Sequence, residues 1–576
     1  MGFVELLKDV FTYKQSAPLI FTQFYFWVFF AFVLSAFGLL IKQKQRLMRT
    51  GFLFLVSLFF YYKSSGMFFL LILFTTLIDF NIGRWMSQTE QQNKRRALLA
   101  LSLIINLSLL VYFKYAYFIT QSINETFHTN FEVINYISLI FNSVVGTHFQ
   151  IDKILLPVGI SFYTFQTISY SIDVYRKELK AVNNLIDFGF YVTFFPQLVA
   201  GPIVRASQFI PQMYQEYKLT QYQFGMAIFM IMKGLMKKIY IGDYIAVNFI
   251  DRIFTNPTHY SGFENLAALF GYSLQVYVDF SGYTDIAIGI AILLGFTLPQ
   301  NFDSPYKAQN VANFWKRWHI SLSTWLKDYL YIPMGGNRGG SVFSYLMLSI
   351  VLLFVSLLIG YWWVFPILVL FGLFSILLMR RYQGFAKAIN TDINLMLTML
   401  IGGLWHGASW QFIIWGGLNG IGLVVYKLWR KISPWEHSTK WIAVVWKIAI
   451  TFTFITFTRV FFRAESMEIA QDMFHQIGQL LPAWSDLEYL FTDPLNLKFV
   501  QQWRLIPAIL MAYQWVFVVM MIGFVFHWLP YKLKNRYTDW FIALPFYLKV
   551  LVFSLVVFWV YQSISSEMQA FIYFQF

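Results

Sequence analysis

The chain has no cysteine. Its absence rules out disulfides, thiolate metal sites and an acyl group held on an enzyme thiol. Charge is scarce as well. Only 12% of the 576 residues are Asp, Glu, Lys or Arg, about half the share of a soluble globular protein. Eight histidines are present, but no two have the three- or four-residue spacing of a helical metal site. There is no G-x-S-x-G nucleophile elbow and no Walker-type phosphate loop. There is also no internal repeat and no low-complexity linker. The opening "MGFVELLKDVFTYKQ" is too polar for a secretory h-region, and Leu6 stands where a myristoylation start needs Ser or Thr.

Apolar and aromatic residues fill the space that charge leaves, at 58% and 21% of the chain. Runs such as Phe24–Ile41, Ala97–Phe113 and Leu548–Tyr561 suit helices crossing a hydrocarbon core of roughly 30 Å. The pattern predicts an all-α, polytopic membrane protein in a lipid bilayer, with about a dozen spans and one membrane domain over residues 1–576. The net charge of +15 does not indicate nucleic acid as a partner. Lysines and arginines sit in short clusters between apolar runs, at 42–49, 93–96, 379–387, 427–431 and 531–536, which is the cytoplasmic-loop bias of membrane proteins. Acidic residues gather in 464–474 and 485–493, so residues 464–506 read as an extracytoplasmic loop. Two apolar runs, 264–296 and 393–426, are too long for one crossing and carry polar or glycine interruptions. Broken helices are tolerated only where protein or a water-filled cavity shelters the backbone, so they mark where a site belongs.

Three stretches hold candidate chemistry. "FWKRWHISLSTWLKDYLYIPMGG" begins at Phe314. On one helix, Phe314, Trp318, Leu322, Trp325 and Tyr329 share a face, Lys316, Ser323 and Lys327 share the other, and His319 falls on the border. This reads as an interfacial helix, with a simple amphipathic anchor as the plainer reading. The second stretch, "MLTMLIGGLWHGASWQFIIWGGLNG", carries His406 among small residues and tryptophans. The arm from Asn394 to Leu404 is only about 16 Å long at about 1.5 Å per residue. This predicts a hairpin with His406 near its apex, within the membrane thickness, where an ionisable residue is a functional candidate. A buried histidine bonded to a backbone carbonyl is the alternative. The third stretch, Gln275–Phe296, places Asp279, Ser281, Tyr283 and Asp285 in an apolar run. Asp279 and Asp285 do not share a helix face, and they fit bonds to serine, backbone or a distant cation better than an acid pair.

These stretches, with "LPVGISFYTFQTISYSIDVYR" (Leu156–Arg176) and "FFPQLVAGPIVR" (Phe194–Arg205), give the chain a family likeness. It resembles the membrane-bound O-acyltransferases, in the bacterial branch of alginate O-acetylases and D-alanyl-teichoic-acid transferases. The run from Tyr277 to Gly340 is the most specific and looks most like the alginate type. The resemblance implies helices, some broken or re-entrant, around a membrane tunnel. It implies His406 of the W-H-G motif as the catalytic histidine and His319 of R-W-H-I-S as the second essential position. Two departures stand out. His319 and His406 are 87 positions apart rather than a few dozen, and residues 341–392 read as an inserted transmembrane hairpin with "YWW" (Tyr361–Trp363) at its tip. Asn419 stands where many relatives carry a histidine, which leaves a hydrogen-bonding role there but no proton shuttle.

The expected function is transfer of an acyl group, acetyl by the likeness, from a cytoplasmic thioester towards hydroxyls of an exported cell-surface polysaccharide. Acetyl-CoA or an acyl-carrier thioester would be the co-substrate, with no bound cofactor and no metal. A secreted or membrane-anchored acetyltransferase would be the outer partner, and the bacterial cytoplasmic (inner) membrane the location. His406 would act as base and His319 would orient the donor or stabilise charge. Lys316, Arg317 and Lys327 would dock an acidic or phosphorylated carrier, with Ser323, Trp405, Asn419 and Asp279 as further contacts. D-alanyl transfer to teichoic acid is the alternative within the class, and a polysaccharide-intermediate transporter or flippase the alternative outside it.

Overall fold

The computed structural model describes residues 11–14, 18–42, 45–145, 151–199, 201–358, 366–367, 370, 383–482 and 497–562. Among these there is no strand; helices account for the architecture. Among the described residues six helices are long and apolar enough to cross a membrane, or up to eight if each of two bent pairs counts as one span. The chain is therefore a multi-pass membrane protein. Some of the apolar windows are short helices wrapped by protein. Ile160–Tyr175 has 16 residues and is buried along nearly all of its length, and Leu185–Thr193 has nine.

The chain packs as two compact units. The first comprises 1–199, 203–216 and 324–409. Its helices Phe69–Gln88, Gln92–Leu110 and Ile160–Tyr175 meet around the buried Asp79, which accepts from Ser102 Oγ at 2.5 Å and Asn106 Nδ2 at 2.8 Å. Thr167 extends the network by donating to Asn106 Oδ1 at 2.9 Å. Buried polar groups survive in such surroundings only when bonded. Arg95 closes the C-terminal end of the Ile160–Tyr175 helix, donating to the carbonyls of Val174 and Tyr175, each at 2.9 Å. Within 341–392, Val342–Leu358 is a helix whose Tyr345 hydroxyl donates to Asn390 Oδ1 at 2.7 Å. The predicted tip at 361–363 lies outside the described residues.

The second unit comprises 200–202, 217–323 and 410–576. At its centre is Gly262–Leu293, a helix of 32 residues started by a reciprocal Ser261–Glu264 capping box. Interruption midway was expected here and does not occur. Its glycines serve close packing instead. A Cβ on Gly282 would lie 2.8 Å from the Gly234 carbonyl oxygen, and one on Gly234 would lie 2.5 Å from that of Gly282. Two helix backbones touch where only glycine allows it. The predicted 464–506 loop contains a helix at Met467–Gly478, and 483–496 lie outside the described residues.

Candidate active site

His406 is the last residue of the helix Gln383–His406, and a break at 407–409 separates it from Trp410–Ile432. The break falls where the sequence placed it, but the arm before it does not end at Asn394. Twenty-four residues at about 1.5 Å each make about 36 Å, so the arm is longer than 394–404, although this helix is not among those apolar enough to cross a membrane. Asn394 lies within the helix and anchors the glycine loop before it, donating to the carbonyls of Gly336 at 3.1 Å and Gly339 at 3.0 Å.

A helix end leaves carbonyls without intrahelical donors. Three of them are satisfied from another helix. Tyr115 donates its hydroxyl to the Leu404 carbonyl at 2.6 Å. Lys114 Nζ donates to Trp405 O at 2.6 Å and His406 O at 3.2 Å, and lies 3.4 Å from Ser161 Oγ. Lys114 and Tyr115 belong to a π-helical turn, Val111–Tyr115, inside the run 92–127. Such bulges re-aim side chains and recur at functional sites. The ammonium also complements the negative end of the helix dipole. The Trp405 ring packs on Phe165 at 5.5 Å and Phe162 at 5.2 Å, and Phe165 in turn stacks on Trp325 at 3.7 Å. Trp325 Nε1 donates to the Phe165 carbonyl at 3.0 Å. His406 is thus 3% exposed at a rigidly finished helix end.

His319 departs from its predicted place. The stretch 314–331 is not one helix. Val311–Trp315 ends, His319 takes a left-handed φ of +44°, and a new helix runs Ile320–Leu326 into a π-turn at 327–331. His319 is therefore not on a border but 1% exposed at the kink. Asn301 supports the new helix start: its carbonyl accepts from Ile320 N at 2.9 Å and its Oδ1 from Ser321 N at 3.2 Å. The Phe280 ring meets the imidazole edge-to-face at 4.6 Å. Burial pushes the His319 pKa down to about 3, so the imidazole is neutral at physiological pH. The predicted apolar face does hold residue by residue: Phe314, Trp318, Leu322, Trp325 and Tyr329 are all buried.

The other candidates divide between the units. Trp405 and Lys327 belong with His406 to the first; Lys316, Arg317, Ser323, Asp279 and Asn419 belong with His319 to the second. Lys316 and Lys327 are exposed. Arg317 is tied down, donating to the Asp303 carbonyl at 3.0 Å and to Asn313 Oδ1 at 3.1 Å. Ser323 bonds back to the Trp318 carbonyl at 3.1 Å. Asn419 donates to the Trp415 carbonyl at 2.8 Å and reaches Thr458 Oγ1 at 3.4 Å. Asp279 pairs with the buried Lys238, which also holds Asp243 at 2.7 Å. Sequence reasoning missed Lys114, Tyr115 and Asn301. A lysine inside the apolar run 97–120 was a visible signal for the first, since charge at that depth needs a reason.

The sequence model of the membrane-bound O-acyltransferase family matches residues 55–391, a span that includes His319 and stops short of His406. The probable alginate O-acetylase AlgI of Pseudomonas aeruginosa is 37% identical over 385 residues, covering 65% of this chain and 59% of that protein. The peptidoglycan O-acetyltransferase of Helicobacter pylori is 34% identical over 467 residues, covering 76% and 74%. The teichoic acid D-alanyltransferase of Bacillus subtilis is 27% identical over 315 residues, covering 54% and 69%.

Proposed function

The chain belongs to the membrane-bound O-acyltransferase family, and from that premise we propose that it moves an acetyl group from a cytoplasmic thioester towards hydroxyls of an exported cell-surface polysaccharide. The observation that carries this reading is His406, a buried histidine fixed at a helix end by Lys114 and Tyr115. The hydroxyl oxygen attacks the thioester carbonyl while His406 takes its proton. The tetrahedral oxyanion collapses, the C–S bond breaks, and the thiolate leaves with the proton from the imidazolium. A rigid base suits this step, because catalysis falls off steeply with misplacement. His319, neutral and at a fixed angle, orients the donor; a group that resists protonation so strongly is ill-suited to be the base.

Acetyl is favoured over D-alanyl because the relatives named as O-acetylating proteins stand at 34–37% identity, and the D-alanyltransferase at 27%. The protein works in the cytoplasmic membrane, with a secreted or membrane-anchored acetyltransferase receiving the group outside. Residues 341–392 have no part in the chemistry, and the described residues of 464–506 face outward.

The test is transfer by the purified protein in detergent. Incubation with acetyl-CoA and alginate or peptidoglycan fragments should yield O-acetyl ester and free thiol in equal amounts. Ester formation only with a D-alanyl carrier and teichoic acid would replace the acetyl reading. No transfer from any thioester would remove the acyltransferase reading altogether.

A further inference from the structure

Five cationic side chains from distant stretches gather within the second unit. Lys233 and Lys237 come from the helical run 221–243, Lys307 and Arg317 from the segment after Gly262–Leu293, and Lys534 from the helix Tyr531–Ala543. Two carboxylates face them. Asp285 holds Lys237 at 2.7 Å and Lys233 at 3.2 Å. Asp303 holds Arg317 at 3.4 Å and accepts from the Tyr531 hydroxyl. Lys307 and Lys534 meet neutral acceptors. Lys307 donates to the Leu529 carbonyl at 2.7 Å; Lys534 donates to Ser304 Oγ at 3.0 Å and the His527 carbonyl at 2.9 Å. Both ammonium groups lie against the Tyr531 ring, at 5.1 and 5.9 Å from its centre.

The two groups adjoin: Lys237 Nζ lies 5.6 Å from the centre of the Tyr277 ring, that ring meets His527 edge-to-face at 4.7 Å, and Lys534 donates to the His527 carbonyl. The adjoining Lys238 is closed off by Asp243 and Asp279. Even with that trio included, cations outnumber carboxylates. Gathering like charge in partly buried surroundings costs free energy, and an anion at the cluster offsets that cost. The cluster opens to solvent at its Asp303 and Tyr531 edge, where the Asp303 side chain is 41% exposed. Several ammonium groups around one opening match a multiply charged phosphate better than a carboxylate, which one cation neutralises.

We propose that Lys233, Lys237, Lys307 and Lys534 form a phosphate-binding site, and that its ligand is the phosphate-bearing end of the thioester donor. Coenzyme A and a carrier's phosphopantetheine arm both carry phosphate remote from the sulfur, so one site serves either. This rests on the thioester-donor reading, but the binding test does not depend on turnover. Wild-type protein in detergent is titrated with inorganic pyrophosphate and with unacylated coenzyme A, and thermal stability is followed. Both should stabilise it, with a midpoint that weakens as salt rises. Lys307→Gln with Lys534→Gln should weaken both midpoints at least roughly tenfold. Lys307→Arg with Lys534→Arg should hold them within a fewfold, which separates lost charge from lost fold. In a transfer assay the Gln pair should raise donor KM with kcat nearly unchanged. Unchanged pyrophosphate and coenzyme A binding in the Gln pair would overturn the site. Stabilisation by phosphatidylglycerol in nanodiscs, with none by pyrophosphate or coenzyme A, would overturn the donor assignment in favour of a lipid headgroup. Pyrophosphate binding in a protein that transfers no acyl group would leave the site standing and the acyltransferase reading fallen.

Discussion

His406 and His319 are both buried histidines at breaks in helical structure, but the two breaks are built differently. The one at His406 is finished by side chains from far away. Lys114 and Tyr115, nearly 300 positions earlier, satisfy three terminal carbonyls. The one at His319 is made locally, by a left-handed residue and by Asn301 bonding to the first two amides of the next helix. A break finished from a distance depends on tertiary packing and fails when its capping group is removed. A break made by local backbone geometry depends on what the residue itself tolerates. The two histidines should therefore differ in which neighbouring substitutions they survive.

The largest effect belongs to His406→Ala. It should lower acyl transfer by about 10²–10⁴-fold while the protein stays folded, since the caps bind the backbone and not the imidazole. Activity above a tenth of wild type at matched expression would end its assignment as base.

Lys114→Met comes next. It leaves the Trp405 and His406 carbonyls without their donor, at about 1–3 kcal/mol for each buried acceptor. Both thermal stability and kcat should fall, and Lys114→Arg should recover part of each. A Met variant with wild-type kcat would show that the helix end does not need its cap for chemistry.

At His319 the comparison can be sharpened by changing the side chain and the backbone separately. His319→Ala and His319→Gly both remove the imidazole and should lose transfer alike. They should differ in stability, with Gly the more stable by about 1–2 kcal/mol because the φ of +44° suits it. The wild type also carries a pH signature. The imidazole resists protonation in the fold but protonates near pH 6.5 once unfolded. Below that pH the unfolded state binds the extra proton, so stability falls as pH drops from about 6.5 towards 3. His319→Asn, which tolerates the same φ, should flatten that fall; an identical pH profile in a thermal melt would contradict the burial.

The smallest effect is expected at the exposed Lys316 and Lys327. Their double reversal to Glu should change stability by less than about 0.5 kcal/mol, and raise donor KM less than the Lys307 and Lys534 pair does. A larger rise in KM would return donor docking to those two lysines.

Short-range pattern by itself determined the membrane class, the helical architecture and the family motifs. It also identified the buried face of 314–331, because a 3.6-residue period and a 20-residue apolar run are written locally. It placed a break near His406, but from an arm length that the Gln383–His406 helix exceeds. Tertiary structure decided the rest. The kink at His319 is a single positive φ that a helical period cannot reveal. The unbroken Gly262–Leu293 helix shows that glycines read as a break were a packing face against Gly234. The pairing of Asp279 with Lys238, the capping of His406 by Lys114 and the gathering of Lys233, Lys307 and Lys534 each join residues dozens to hundreds of positions apart. Charge and hydrogen-bond partners at such separations are chosen by how helices pack, and no local window of sequence contains both partners.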